Sequence, residues 1–349
     1  MTAVMAAPPA TVAVDELTDE LRACRDGARR WLLAHLNADG SLGDPDDGFK
    51  YYRAPWAFTL LGESDAGQAV CGWIRRNLLT ADHDLDAPLR KASHGFAYCN
   101  ATLIVGAQML QQYDLSLGLM PALLRWQDSV SGGFANDKTP DGGMSDEMDI
   151  PYACGPGFAG LITGHLAAAR RVADFLRRIY DAQPDLPDRF FCFWSRSRQA
   201  PIVGSDPEFQ QRFVVDNQAD RMQRWTIGGI AAAFLGRLYL AEPKPEYLDL
   251  ARRYQAFSMA ATDAQFGYPS ACKSSWGAAL LYQITGEQQY RDWLARFAHW
   301  YIESQEPDGF WHPWVEQSLG DVVEITLEYA MHVATLTGAL SARADRRAS

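Results

Sequence analysis

Apolar residues recur along this chain at helical spacing, and they do so in two distinct ways. Tyr290, Trp293, Leu294, Phe297, Trp300 and Tyr301 form a single stripe at i, i+3, i+4, i+7, i+10 and i+11, the signature of a helix with one buried face. Leu166, Ala169, Ala173, Leu176 and Tyr180 repeat the pattern, as do Leu17, Leu21, Cys24, Ala28, Trp31, Leu32 and His35. Between such stretches lie segments that are small and apolar almost all round: APWAFTLLG (54–62), FAYCNATLIVGAQML (96–110), GFAGLITGHLAAA (157–169), IGGIAAAFLGRLYLA (227–241), SSWGAALLYQITG (274–286) and ITLEYAMHVATLTGAL (325–340). A helix apolar on every side has to be enclosed by other helices. Only RQAPIVG (198–204) and RFVVDN (212–217) read as strands.

The two kinds of segment alternate with a period of roughly 50 to 60 residues, the mark of a repeat architecture. Each unit reads as an amphipathic outer helix, a Gly/Asp-rich loop and a small-residue inner helix. Six such hairpins close into a ring, so the predicted fold is an all-α (α/α)6 toroid with the inner helices around a central cavity. Residues 1–14 read as an N-terminal tail, 15–341 as one toroid domain and 342–349 as a C-terminal tail.

In QEPDGFW, Gln305, Gly309 and Trp311 match the QW motif of squalene-hopene cyclases, and QDSVSGGF (127–134) and NADGSLG (37–43) look like eroded copies in equivalent loops. The chain thus resembles the terpenoid cyclase and protein prenyltransferase superfamily. That resemblance implies a structural role for the motif, with the glutamine capping a helix end and the tryptophan packing across the repeat. The same six-hairpin fold also serves sugar epimerases, unsaturated-uronyl hydrolases and glycosidases, so architecture alone does not choose a reaction.

Composition narrows the partners. The chain has 349 residues, 48% hydrophobic and 21% charged, with a net charge of -11, which disfavours nucleic acid and anionic membranes. Arg75–Arg76, Arg177–Arg178 and Arg252–Arg253 fall on the polar sides of helical patterns. Six cysteines without a C-x-x-C pair suggest buried thiols in a reducing cytoplasm, and neither a signal peptide nor a transmembrane run of eighteen apolar residues is evident. A small-molecule substrate is the expected partner, with a homodimer as a further option. No cofactor and no metal are expected, since no Walker loop, G-x-G-x-x-G, G-x-S-x-G elbow, zinc constellation or D-x-D-x-D-G calcium spacing is present.

Polar residues gather in the loops that lead into the inner helices. GDPDDGFKYYR carries Asp44, Asp46 and Asp47 and fits the D-x-D-D pattern of class II terpene cyclases; the resemblance makes Asp46 a protonated donor, and crowded carboxylates do raise a pKa. Gly48–Phe49–Lys50 departs from the family's Thr-Ala continuation, and the alternative is a plain acidic turn. Tyr52 and Arg53 end the stretch. In SHGFAYCN, His94 with Tyr98 and Asn100 is either an acid or base at the cavity mouth or a helix-entry hydrogen-bonding group. The loop 136–155 is long enough to be a lid and brings Asp149, Tyr152 and Cys154 to inner helix three.

Further along, VVDNQADRMQRW supplies Asp216, Arg221 and Trp225, and Lys273 precedes Trp276. His312 and Trp314 follow the QW motif, and Glu324 and Glu328 open the last inner helix. Lys273 is an ion-pair partner of Glu328 or Asp216, a desolvated acid or base, or an anion clamp. His35, His165, His299 and His332 fall within helices and read as structural.

The first functional reading is a metal-independent cyclase or isomerase of a small, partly apolar terpenoid- or polyketide-like metabolite. Asp46 would be the acid, His94 or Tyr52 the base, and Asp149, Asp216, Lys273 and Glu328 would orient substrate. The aromatic set Trp56, Trp225, Trp276 and Trp314 would wall the cavity. The alternatives are a sugar-directed epimerase, lyase or glycoside hydrolase, the last needing carboxylates about 5 to 10 Å apart, and a non-catalytic toroid that binds a hydrophobic ligand or a protein.

Overall fold

The computed structural model describes residues 14–45, 51–81, 84–85, 95–313 and 318–348, and helix dominates among them. The hairpins run α1 (Val14–Ala34) to α2 (Ala54–Leu60), α3 (Ser64–Asn77) to α4 (Phe96–Met109), and α5 (Tyr113–Leu124) to α6 (Ile150–Ile162). They continue with α7 (Leu166–Asp181), interrupted by the short α8 (Pro207–Phe213), to α9 (Thr226–Ala241), α10 (Pro245–Met259) to α11 (Cys272–Thr285), and α12 (Gln288–Ser304) to α13 (Leu319–Ala348). The helices α2, α4, α6, α9, α11 and α13 pack side by side, and α13 returns to α2. The ring is therefore closed, and the fold is the (α/α)6 toroid.

The two sequence patterns match the two layers. α7 buries Ala168, Ala169, Val172, Ala173, Phe175, Leu176 and Ile179 on one face and leaves its arginines outside, whereas α9 buries eleven residues round its whole circumference. Small inner residues let backbones approach: a Cβ on Gly229 of α9 would lie 2.0 Å from the Lys273 carbonyl oxygen of α11.

Three of the loops share one geometry. In each, a glycine with positive φ sits against the backbone of the next outer helix, and a Cβ there would meet a carbonyl: Gly40 with Ala69, Gly132 with Arg171, and Gly309 with Gly27. Gln305 Nε2 donates to the Cys24 and Gly309 carbonyls at 2.9 and 3.0 Å, and Gln127 Nε2 does the same to Ala168 and Gly132. Trp311 is buried and its indole N–H donates to the Tyr301 carbonyl at 3.0 Å.

Among the described residues five short strands decorate the loops: β1 (Glu147–Asp149), β2 (Arg189–Phe191), β3 (Phe193–Ser195), β4 (Ala200–Pro201) and β5 (Val214–Asp216). β3 pairs antiparallel with β1 and β4, and β2 pairs antiparallel with β5. The expected strands at 198–204 and 212–217 contain β4 and β5; β1, β2 and β3 were not anticipated. α13 continues through residues 342–348, in keeping with the helix formers of SARADRRA. All six cysteines are buried and free, and among the described residues no helix is long and apolar enough to cross a membrane.

Candidate active site

The N-terminal ends of the inner helices converge on a cavity of about 490 Å³. Arg53 enters from the start of α2, Tyr98 from α4, Tyr152 from α6, Cys272 and Lys273 from α11, and Glu324 and Glu328 from α13. The lip is formed by α8 and the segment before α9, which contribute Gln211, Arg212, Gln223 and Arg224.

The charged centre is an ion-pair cluster fixed by helical spacing. Glu324, Glu328 and His332 recur every four residues on α13, so one face of one helix presents all three. Arg53 bridges the two carboxylates, contacting Glu324 at 2.8 Å and also Glu328. Glu328 Oε1 additionally accepts from Lys273, and His332 Nε2 lies 2.8 Å from it and 3.3 Å from Lys273 Nζ. The Tyr52 hydroxyl donates to Glu324 at 2.8 Å and accepts from Arg53 Nη2 at 2.5 Å.

Electrostatics follow from burial. Desolvation, reinforced by Arg53, pulls the His332 pKa down to about 3, so its imidazole is neutral at physiological pH. Burial raises the Tyr52 and Tyr98 phenols and the Cys272 thiol. Asp149 is fully buried, and desolvation raises its pKa to about 6 against the opposing pull of Arg224. Its Oδ1 accepts from the Tyr152 N–H and caps α6, while Arg224 donates to Oδ2 at 3.0 Å.

Below this layer the ring is filled. Trp276 stacks on Phe158 with centroids 4.6 Å apart, Trp56 meets Trp276 edge-on, and only about 10 Å³ remains between them. Arg237 closes the floor with its guanidinium 5.3 to 5.9 Å from the Phe158, Trp276 and Trp56 rings, and desolvation lowers its pKa to about 10.

Of the residues singled out from sequence, the structure brings Arg53, Tyr98, Tyr152, Lys273 and Glu328 onto one cavity, with Tyr52 and Asp149 directly behind them. Trp56 and Trp276 form its floor. Others stand elsewhere. Asp216 faces Arg189 at 3.8 Å across the antiparallel β2–β5 pair. Asn100 is buried and donates to Asp84 and the Phe96 carbonyl. Cys154 and Trp225 are buried in helix packing, Arg221 donates to the Gln210 carbonyl, and His312 lies 3.6 Å from Glu306. Asp46, His94 and Trp314 lie outside the described residues, while Asp44 is exposed. Sequence reading passed over His332, taken as structural, and also Cys272, Arg212, Arg224 and Arg237. The i, i+4, i+8 series Glu324–Glu328–His332 was the signal for the first.

Cys272, Glu328 and His332 bring a thiol, a carboxylate and an imidazole within 4.8 Å of one another, the set among the described residues suited to a soft divalent metal. Lys273 and Arg53 already neutralise the carboxylate, and burial holds the thiol protonated, so the set works as an ion-pair centre.

No protein-family profile matches the sequence, and comparison with curated proteins gives no match. The fold belongs to a class shared by many solved chains. Cellobiose 2-epimerase from Spirochaeta thermophila superposes with a TM-score of 0.70 at 12% identity, over 95% of this chain and 98% of its own. A D-mannose isomerase gives 0.64 at 14% identity, over 93% and 99%. A type II terpene cyclase from Scytonema, solved with merosterolic acid A, gives 0.58 at 14%, over 94% and 100%. At these identities the likeness establishes the toroid.

Proposed function

We propose that this chain is an acid/base isomerase or epimerase of a small polyhydroxylated, sugar-like metabolite, working in the cavity at the N-terminal ends of the inner helices. The observation that carries the reading is the Arg53–Glu324–Glu328–Lys273 cluster on the cavity wall. Such a wall supplies donors and acceptors for hydroxyl groups and opposite charges for proton transfer next to a carbonyl. A carbocation, by contrast, needs aromatic faces and few nucleophiles, and here Trp56 and Trp276 lie in the filled floor.

In this mechanism Lys273 and Arg53 face the substrate carbonyl and stabilise the oxyanion as the adjacent C–H bond breaks. Glu324, the more exposed of the two carboxylates at 13% against 7%, accepts that proton and returns it on the same face to the former carbonyl carbon for isomerisation, or to the original carbon after the intermediate has turned its other face to Glu324 for epimerisation. Tyr52 holds the Glu324 carboxylate in place. Glu328 anchors both cations, and neutral His332 supports Glu328 from behind. Like the proteins of this fold described above, the chain would act as an enzyme.

The test is solvent exchange. Aldoses and ketoses incubated with the protein in D₂O should gain deuterium at the carbon next to the carbonyl, read by NMR. Glu324→Gln should slow exchange by about 10²- to 10⁴-fold with an unchanged melting temperature. Exchange that survives in E324Q, or is absent in the wild type, refutes the proposal.

A second reading is proton-initiated cyclisation, favoured by the Trp56–Phe158–Trp276 stack. It requires Asp46 as donor, so Asp46→Asn separates the two: it would abolish cyclisation and spare deuterium exchange.

A further inference from the structure

We propose that the lip of the cavity is an anion clamp in which Arg212 and Arg224 receive a carboxylate or phosphate carried by the substrate. The proposal starts from β1. Alternate residues of a strand share a face, and Glu147 and Asp149 each hold one arginine of the 207–225 connection. Arg212 Nη2 contacts Glu147 at 3.0 and 3.1 Å, and Arg224 Nη1 contacts Asp149 at 3.0 Å. Each guanidinium also lies over a phenylalanine ring at 4.6 Å, Arg212 over Phe213 and Arg224 over Phe193.

Both arginines are thus held through one nitrogen and one ring face. A guanidinium has five N–H donors in a fixed fork, so most donors of each remain for a ligand, and both residues line the cavity. Arg53, Arg212, Arg224 and Lys273 line the cavity with Glu324 and Glu328, and Glu147 and Asp149 pair with Arg212 and Arg224 from behind, so four cations meet four carboxylates and an incoming anion is recognised by the remaining N–H donors. The inner-helix N-termini that meet here add partial positive charge. A neutral hydroxyl can accept one such donor, whereas a carboxylate or phosphate matches the guanidinium fork with two oxygens.

The clamp rests on the proposed reaction only for the choice of sugar ring in the probes. Binding of glucose, glucuronate, glucose 6-phosphate and inorganic phosphate is measured by intrinsic tryptophan fluorescence and calorimetry on the full chain. At least one anionic sugar should bind tenfold or more tightly than glucose; whether glucuronate or glucose 6-phosphate leads identifies the group as carboxylate or phosphate, and inorganic phosphate should compete. Arg212→Met, which removes an exposed side chain, should erase most of this preference without moving the melting temperature or glucose affinity. Arg224→Lys should weaken it while keeping a cation on Asp149. Equal binding of neutral and anionic sugars, binding of none of them, or a preference untouched by R212M and R224K overturns the clamp. If the anionic preference appears without isomerisation, the reaction reading fails and the clamp stands. Isomerisation of glucose with no anionic preference gives the reverse.

Discussion

Asp149 and Arg224 form an ion pair in which one partner is fully buried and the other reaches the cavity, 3.0 Å apart. Desolvation nevertheless raises the Asp149 pKa from 3.8 to about 6. The folded chain then keeps this proton up to about pH 6, whereas the unfolded chain releases it near pH 4. Between those values the native state binds more protons, so Asp149 makes stability fall as pH rises, by roughly 3 kcal/mol across the window. Asp149→Asn keeps an oxygen to cap Tyr152 and removes the titration. Urea unfolding from pH 4 to 6 should show the wild type losing stability relative to D149N; parallel curves would contradict it.

His332 works in the opposite direction. Its pKa falls from 6.5 to about 3 on folding, so the unfolded chain binds the extra proton between those values. Stability rises with pH through this window and is fully present above about pH 6.5; acidification to pH 3 removes on the order of 5 kcal/mol. Between pH 4 and 6 the contributions of Asp149 and His332 nearly cancel. His332→Gln, which can still hydrogen-bond Glu328, should therefore expose the Asp149 slope, with stability declining by roughly 3 kcal/mol from pH 4 to 6 relative to wild type. A variant curve parallel to wild type would exclude a buried neutral imidazole.

Arg53 and Lys273 are not equivalent partners of the α13 carboxylates. Arg53 contacts both Glu324 and Glu328, while Lys273 contacts Glu328 alone. After Lys273→Met each carboxylate still has a direct cation; after Arg53→Met, Glu324 has only the Tyr52 hydroxyl. Loss of the single partner of a buried charge costs about 3 to 5 kcal/mol, so R53M should lie near that range and K273M well below it. Both should lose turnover. Denaturant midpoints check the order, and equal costs would refute it.

The toroid was legible because it is written as periodicity: a stripe for each outer helix, small residues all round for each inner one, and a loop signature repeated at Asn37, Gln127 and Gln305. The site was legible only in part. Arg53, Tyr98, Lys273 and Glu328 stand at the starts of inner helices, where the repeat itself brings them together. Arg212 and Arg224 belong to a connection that departs from the repeat, and β1 and β3, which position their partners, are three residues each. Arg237 and His332 sit at helical positions normally occupied by core residues, and their chemistry depends on facing neighbours from helices distant in sequence.

Gly309 sets the seam of the ring. Its φ is +100°, and a Cβ there would lie 2.4 Å from the Gly27 carbonyl oxygen and 2.5 Å from its carbon. The obstacle is α1 backbone, which cannot move aside as a side chain would, so Gly309→Ala combines a disfavoured conformation with a displacement of α1 from the loop after α12. Gly142 provides the control, because its φ is +80° and a Cβ would meet nothing within 4 Å. Gly142→Ala should cost about 1 kcal/mol, the conformational part alone, and Gly309→Ala at least ~3 kcal/mol. Since neither glycine lines the cavity, deuterium exchange per folded molecule should match wild type in both. Chemical denaturation gives the two costs, and similar values would mean that α1 adjusts and that the motif does not rivet the closed ring.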